Sequence, residues 1–366
     1  MLRKFPASLI GILCLSGSAY AQDTTATSPK PTISGSVDVY YRFNFANPKS
    51  GGTNNKTSFT NSQNSFELGM ATIRADHSFG KASVTADLGF GRRAQEFSYN
   101  DGLTLSGGGL NGFISLNSIK QLFVSYAVSD KFKLTMGKWG THVGYEVVDA
   151  YLNRNYSMSY MFSYGPFFHT GLKADIVLGG KTSLMVGVAN PTDYSTTTSN
   201  AKWIIAQLST ASKSGAVKAF LNYQGGKYAK GSTLNQVDLV VTGTVSSTFS
   251  VGYNGTVQMR KPDGGKNYNW WGSAVYLNLD PTSKFGLTLR GEYLSDKSTK
   301  NGAGNSVLGF NANIFATTLS ANFKVDKLTI IPEFRFDSAS ESIFEKNDGT
   351  GSKGTATVLL AAVYSF

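Results

Sequence analysis

Apolar and polar residues alternate along most of this chain, and this period of two restricts its fold more than any other feature. Between Ile33 and Phe43 the odd positions hold apolar residues and one glycine, and the even positions include Ser34, Ser36 and Asp38. The pattern recurs at residues 82–90, 168–178, 237–243, 249–259, 285–293, 315–325 and 328–336. Successive side chains of a strand point to opposite faces, whereas a helix repeats every ~3.6 residues. The sequence therefore predicts an all-β protein.

Short turns and long polar loops alternate between these predicted strands. The turns lie at 77–81, 129–131, 179–181, 211–215, 245–248, 281–284 and 325–327. The loops lie at 45–65, 92–118, 138–166, 190–201, 225–235, 261–269, 295–310 and 338–354. They join about 16 strands (14 to 18), and such an asymmetry is typical of outer-membrane barrels. We predict a transmembrane antiparallel up-and-down β-barrel with short periplasmic turns and long external loops.

The placement of charged and aromatic residues favours a lipid-facing barrel over a soluble β-sandwich, which also alternates. The apolar phase of the clearest strands contains no Asp, Glu, Lys or Arg. Aromatic residues occur beside the turns or the C-terminus at Phe132, Phe249, Phe285, Phe323, Tyr364 and Phe366, and beside the loops at Tyr41, Phe43, Phe90, Tyr293, Phe334 and Phe336. Two such belts are typical of membrane interfaces, whereas a sandwich core places aromatic residues in mid-strand.

The N-terminus has the pattern of a secretory signal peptide. Arg3 and Lys4 precede the apolar stretch Ala7–Leu15, and the small-x-small site Ala19–Ala21 follows. We expect a signal peptide at 1–21, a flexible periplasmic lead-in at 22–31 and a single barrel at 32–366 with a long third loop at 138–166. The single cysteine, Cys14, falls in the signal peptide, which excludes mature disulfides and thiolate metal sites.

Charge and histidine placement argue against nucleic-acid binding and catalysis. After residue 21 the chain has 32 basic and 23 acidic residues, scattered singly without a Lys/Arg-rich run. The basic excess suits anionic lipid and lipopolysaccharide. His77, His142 and His169 form no Ser/His/acid pattern, so we expect no catalytic residues. We expect no metal or cofactor either, since the Gly-rich segment 347–351 lacks the spaced acids of a calcium loop.

The polar phase of the strands supplies candidate pore-lining residues. They are Asp38, Arg42, Arg74, Asp87, Lys173, Asp175, Asp238, Arg260, Arg290, Glu292, Glu333 and Arg335. A packed core rarely holds so many ionisable groups, whereas a water-filled lumen can. Our hypothesis is that the third loop folds inward and that Glu146, Asp149 and Arg154 form a constriction with Arg42, Arg74, Arg290 and Arg335. The alternative is an external loop that packs on its own aromatic residues.

The last two strands contain three unusual features. Pro332 lies within a strand that must pair on both sides, and it predicts a β-bulge. The inward phase of the final strand is apolar at Leu359, Ala361 and Val363, which predicts packing against a loop. The final strand ends with Tyr364 and Phe366 in one phase, a pattern that resembles the signal read by the barrel-assembly machinery.

Three segments resemble the OmpL-like β-barrel porin family of Bacteroidetes outer membranes. They are residues 35–48 (GSVDVYYRFNFANP), 137–146 (GKWGTHVGYE) and 166–173 (PFFHTGLK). The resemblance spans roughly residues 33–200 and implies a porin of a Gram-negative outer membrane. We therefore expect passive diffusion of small hydrophilic solutes and ions, with homotrimers by analogy with other sixteen-strand porins. The alternatives are a loop-plugged barrel with an adhesive or structural role and an outer-membrane hydrolase.

Overall fold

The structure is a computed structural model that describes residues 29–101, 116–198, 200–228, 231–263, 265, 267–296 and 306–366. The predicted signal peptide and most of the predicted lead-in lie outside these residues. None of the helices in the described ranges has the length and apolar character that crossing a membrane would require.

The described strands form a closed antiparallel barrel of sixteen strands, with a separate two-stranded hairpin in the last loop. The barrel strands are β1 (Thr32–Asn44), β2 (Ser65–Phe79), β3 (Ala82–Phe90), β4 (Ile119–Ser129), β5 (Phe132–Gly140), β6 (Phe168–Gly179), β7 (Thr182–Ala189), β8 (Trp203–Ala211), β9 (Val217–Lys227), β10 (Thr233–Thr244), β11 (Phe249–Lys261), β12 (Tyr268–Thr282), β13 (Phe285–Ser295), β14 (Asn313–Val325), β15 (Leu328–Ala339) and β18 (Gly354–Ser365). The hairpin is β16 (Phe344–Glu345) and β17 (Gly351–Ser352), and two short helices, α1 (Arg92–Phe97) and α2 (Tyr160–Tyr164), lie in the second and third loops. The predicted fold class and strand number are confirmed.

Each barrel strand pairs with its neighbours in sequence, and β1 pairs with β18 to close the sheet. Closure satisfies the backbone donors and acceptors of every strand, which lipid would otherwise leave unpaired. The alternation then separates two environments. On β1, Val37 is 46% exposed on the outer face, whereas Asp38, the next residue, is 2% exposed inside the barrel.

The bulge predicted at Pro332 is wrong. The register of β15 with β18 runs unbroken through Pro332 and Leu360. The register with β14 is the same on both sides of the proline, from Ser320 and Glu333 to Phe323 and Ile330. Pro332 therefore forgoes one ladder hydrogen bond, but the strand needs no extra residue to accommodate it.

An irregularity occurs instead in β2, where the sequence alternation is ragged. The register with β1 shifts between Asp38 and Val39, opposite Gly69. A Cβ at Gly69 would overlap the Asp38 carboxylate and lie 2.6 Å from the hydroxyl of Tyr156. The glycine thus provides the space in which the third loop reaches the wall of β1.

The apolar inward face of the last strand packs as predicted against a loop. Leu359, Ala361 and Val363 form one buried cluster with Ala150 and Tyr156 of the third loop, and with Tyr40 and Ile331 of adjacent strands. This contact confirms the interpretation of that face and shows that this part of the barrel interior is packed.

The seam of the barrel yields a first prediction. Gly35 and Phe366 exchange two backbone hydrogen bonds of 3.1 and 3.0 Å, and a Cβ at Gly35 would lie 2.6 Å from the Phe366 ring. The same Cβ would overlap the backbone carbonyl oxygen of Thr72 on β2, so we expect Gly35→Ala to destabilise the barrel by roughly 1–3 kcal/mol, because both the ring and the neighbouring strand must shift. The measurement is the midpoint of the heat-induced mobility shift of the folded protein on detergent gels.

The matched control is Gly291→Ala on β13, where a Cβ would meet no atom within 4 Å. Equal midpoints for both variants would contradict the role assigned to Gly35 at the seam.

Candidate pore constriction

The third loop, residues 141–167, lies inside the barrel, and wall carboxylates bind its main chain. Glu333 accepts hydrogen bonds from the backbone N–H groups of Tyr156 at 2.8 Å and Ser157 at 3.1 Å. Glu292 accepts one from Tyr160 at 2.7 Å. Buried backbone donors need partners, and carboxylates on the inward phase of β13 and β15 supply them. The alternative of an external loop that packs only on itself is therefore wrong.

Two buried tyrosine hydroxyls attach the same loop to other strands. Tyr156 donates to Asp38 of β1 at 2.5 Å, and Tyr160 donates to Asp337 of β15 at 2.8 Å. Burial raises the pKa of both tyrosines, and the adjacent aspartates raise it further. Both hydroxyls therefore stay protonated and act as hydrogen-bond donors at every physiological pH.

Two wall arginines complete this attachment with alternating charges. Arg290 pairs with Glu146 of the loop at 2.6 Å and donates to the carbonyl of Ser157 at 2.7 Å. Arg335 donates to the carbonyl of Met158 at 2.8 Å. Glu292 lies 3.3 Å from each arginine. These buried charges all have partners, as a dry interior requires.

The other two predicted constriction residues bind β4 and β12 of the wall. Asp149 pairs with Lys120 at 2.5 Å, and Lys120 also lies 3.0 Å from Asp87. Arg154 binds Asp280 with two hydrogen bonds of 2.9 and 2.7 Å. Lys120 and Asp280 are missing from the sequence-based candidates. Both residues occupy the polar phase of their strands, so the alternation could have indicated that they face inward. The sequence does not show which loop residue each of them contacts.

Two of the four arginines expected opposite the loop have other partners. Arg42 donates to the carbonyls of Thr53 and Ser62, at 2.9 and 2.5 Å, and so attaches the first loop instead. Arg74 pairs with Asp76 on its own strand at 2.6 Å. Arg290 and Arg335 therefore make the direct contacts with the third loop, whereas Arg42 faces Ser157 of that loop across a small cavity.

The structure divides the twelve candidate pore-lining residues into two groups. Those that are buried, with 6% exposure or less, are Asp38, Arg42, Asp87, Asp238, Arg290, Glu292, Glu333 and Arg335. Those that keep partial exposure are Arg74, Lys173, Asp175 and Arg260. The two groups are not separated by height along the barrel, because Arg74 of the second group lies opposite Asp87 of the first, whereas Arg260 lies at the loop end of β11.

A ladder of amide side chains, which the sequence analysis missed, crosses three neighbouring strands. Gln236 accepts from Gln224 at 2.8 Å and from Gln258 at 3.0 Å, and Trp270 donates to Gln258 at 3.1 Å. Asp238 beside it accepts from Asn222 and Asn254 and from the backbone of Gly144 in the third loop. The sequence indicates such a ladder only through amide residues at inward positions of consecutive strands.

A half-buried histidine, His142, lies at the start of the third loop. The Nε2 of His142 is 3.1 Å from the carbonyl of Tyr223, and its Nδ1 is buried without a partner among the described residues. Its ring lies 5.0 Å from the ring of His169. Burial lowers the pKa of His142 to about 4, and Lys173 adds to this effect. The imidazole is therefore neutral at neutral pH.

Space inside the barrel is scarce at the level of the third loop. A cavity of about 10 Å³ remains between Arg42, Ser157, Glu333 and Arg335, which is enough for about one water molecule. A cavity of about 550 Å³ opens among the loops at the other side of α2. The small cavity thus lies beside the third loop, and the large one lies at the loop end of the barrel.

Comparison with protein families gives one match over nearly the whole described chain. The family is described as "Putative beta-barrel porin-2, OmpL-like", and it matches residues 30–366. Among curated proteins nothing matches this sequence.

Solved outer-membrane barrels share the fold at low sequence identity. OmpT of Vibrio cholerae, in a loop L8 deletion form, aligns with a TM-score of 0.60 at 10% identity, over 92% of this chain and 99% of that chain. The channel DcaP of Acinetobacter baumannii aligns with 0.59 at 12% identity, over 92% and 97%. In-vitro folded OmpT in its trimer form aligns with 0.54 at 11%, over 92% and 99%.

The ion pair between Glu146 and Arg290 yields a second prediction. Glu146→Ala leaves a buried guanidinium short of one anion and frees the backbone N–H of Ser159, which Glu146 accepts at 2.7 Å. We expect this to weaken docking of the third loop by roughly 3 kcal/mol. Trypsin should then cut after Arg154 faster, as measured by fragment masses over time.

The control is Asp130→Ala, which removes an exposed acid from a turn. Cleavage after Arg154 at the same rate in Glu146→Ala and in this control would show that the ion pair does not hold the loop.

The third prediction concerns the dependence of stability on pH and rests on His142. Its folded-state pKa of about 4 is below the unfolded value of about 6.5, so the folded state binds fewer protons. Stability should therefore fall as pH drops from about 6.5 to about 4, by about 3 kcal/mol from this group. Thermal unfolding in detergent at pH 7.5 and 4.5 measures the loss.

His142→Gln removes the titration while it keeps a polar side chain. Its unfolding temperature should fall less between the two pH values than that of the native chain. An identical decrease in both proteins would rule out His142 as a source of acid sensitivity.

Proposed function

The chain belongs to the OmpL-like beta-barrel porin-2 family of outer-membrane barrels, and from that membership we propose that its third loop controls passive diffusion of small hydrophilic solutes and ions through the lumen. The observation that carries this proposal is the attachment of the loop to five inward carboxylates and arginines: Asp38, Arg290, Glu292, Glu333 and Arg335. Diffusion down a gradient requires no cofactor. It also requires no catalytic residue, so we propose that the chain is not an enzyme.

The two groups of inward charges have different roles in this proposal. Seven of the eight buried residues bind atoms of the first or third loop and position these loops, while Asp87 pairs with Lys120, which in turn pairs with Asp149 of the third loop. Arg74, Lys173, Asp175 and Arg260 are partly exposed and contact passing ions. Both signs occur in this exposed group, and a mixed ring of charges gives weak ion selectivity.

The depth of loop burial favours a second candidate, a loop-plugged barrel with an adhesive or structural role. Tyr156 and Met158 are fully buried, and the third loop has hydrogen-bonded partners on β1 and β15. Such a loop blocks diffusion unless it moves. The two candidates differ in whether the native chain conducts ions.

Export and assembly follow from the same proposal. We propose cleavage of residues 1–21 by signal peptidase, which N-terminal sequencing of the mature protein would test. The barrel-assembly machinery then reads the strand that ends at Tyr364 and Phe366, and the outer face contacts lipid and lipopolysaccharide.

A homotrimer is proposed by analogy with the trimer form of OmpT, and current steps in groups of three would support it.

The fourth prediction concerns conductance. The mature chain, residues 22–366, should give small ohmic current steps in a planar bilayer. Deletion of residues 146–160 should enlarge the steps several-fold, because it removes the segment that fills the barrel. The matched control is deletion of residues 347–350, an exposed stretch at the tip of the β16–β17 hairpin, which should leave the steps unchanged.

The outcomes distinguish the diffusion porin from the loop-plugged barrel. Equal conductance with and without residues 146–160 would show that the third loop is not the constriction. A silent native chain with a conducting deletion variant would favour the plugged barrel.

A further inference from the structure

The cavity of about 550 Å³ at the loop end of the barrel has no role in the constriction described above. Its wall comes from the second loop, the end of the third loop, the loop after β7 and the loop ends of β10 and β11. Its volume falls within the ~300–1,000 Å³ typical of small-molecule sites. By the orientation rule of outer-membrane barrels, this end faces the cell exterior.

Four tyrosines line the cavity and keep part of their surface open. Tyr99 is 56% exposed and Tyr194 is 38% exposed, while Tyr164 and Tyr228 are partly buried. An open aromatic ring in a concave site offers a flat apolar face together with a polar hydroxyl. Such rings are available to a ligand to the extent that the described residues leave them uncovered.

Neighbouring groups hold two of these rings, those of Tyr99 and Tyr228, in place. The hydroxyl of Tyr99 donates to Asp193 at 3.2 Å, and its ring lies edge-on to Phe167 with centroids 6.1 Å apart. The ring of Tyr228 lies edge-on to Trp203 at 5.0 Å. Rings that are fixed before binding lose little conformational entropy when a ligand stacks on them.

The polar lining offers hydrogen-bond donors and acceptors with little net charge. Arg260 donates to Gln258 at 2.8 Å at one side of the cavity, and Glu96 pairs with Arg92 at 3.4 Å at the other. Burial raises the pKa of Asp193 to about 7, against the hydrogen bonds it accepts. A site of this kind does not favour a strongly charged ligand.

We propose that this cavity binds a neutral sugar, a mono- or disaccharide, before it enters the barrel. A sugar ring presents a face of C–H groups that stacks on tyrosine, and its hydroxyls both donate and accept hydrogen bonds. An apolar ligand would leave the buried hydroxyl of Thr192, which has no hydrogen-bond partner among the described residues, unpaired, and an anion would meet Glu96 and Asp193 in the same lining. The inference names the solute class of the proposed porin and so rests on the proposed function.

The fifth prediction tests binding directly. Maltose, glucose and sucrose are titrated into the full mature chain folded in detergent, with saturation-transfer NMR on the sugar signals. At least one should bind saturably in the millimolar range, whereas glucuronate should bind more weakly. Tyr99→Ala and Tyr194→Ala should each lower the affinity about tenfold, because each removes a stacking face.

Tyr99→Phe keeps the ring and should keep most of the affinity. The matched control is Tyr126→Ala, which removes a 51% exposed tyrosine from β4, outside the cavity. Folding of every variant is checked by its mobility shift on detergent gels. No binding of the three sugars, or equal affinity in the native chain and both alanine variants of the cavity, would overturn the inference.

Conductance of the same samples distinguishes the two proposals. A chain that conducts but binds none of the sugars retains the porin function and loses the sugar site. A chain that binds sugar, with the expected loss in Tyr99→Ala, but never conducts retains the site and loses the diffusion proposal.

Discussion

The structure depends on one constraint, that backbone hydrogen-bonding groups in lipid must be paired within the protein. A sheet meets it only when its first and last strands join, as β1 and β18 do here. Closure fixes which phase of every strand faces lipid, and it also fixes the diameter of the interior. With sixteen strands that interior is wider than wall side chains alone can fill.

The interior is therefore filled by chain segments that bring their own unpaired backbone groups. The third loop enters this space, and its N–H groups meet Glu292 and Glu333 while its carbonyls meet Arg290 and Arg335. Charges that would be expensive in a dry core are satisfied by loop atoms and by one another. The buried inward charges thus act mainly as anchors for loops, whereas Arg74, Lys173, Asp175 and Arg260 keep part of their surface exposed.

Local patterns in the sequence predicted the wall of the barrel well and its contents poorly. The alternation predicted the strands correctly because the polar or apolar character of each residue matches the face of the strand on which it lies. The apolar inward face at Leu359, Ala361 and Val363 also correctly predicted packing against a loop. Pro332 predicted a bulge that the register does not show, since a single missing donor does not require an extra residue. The partners of Arg42, Lys120 and Asp280 depend on contacts between distant segments, which no local period encodes.

The anchors of Tyr156 have a consequence for the order of assembly. Its hydroxyl binds Asp38, 118 residues earlier in the chain, and its backbone binds Glu333, 177 residues later. These two residues lie on β1 and β15, which flank the last strand, so they reach their final separation only when β18 has joined the sheet. Docking of the third loop is thus a late step with high contact order, and a nascent barrel has a wider opening than the finished one.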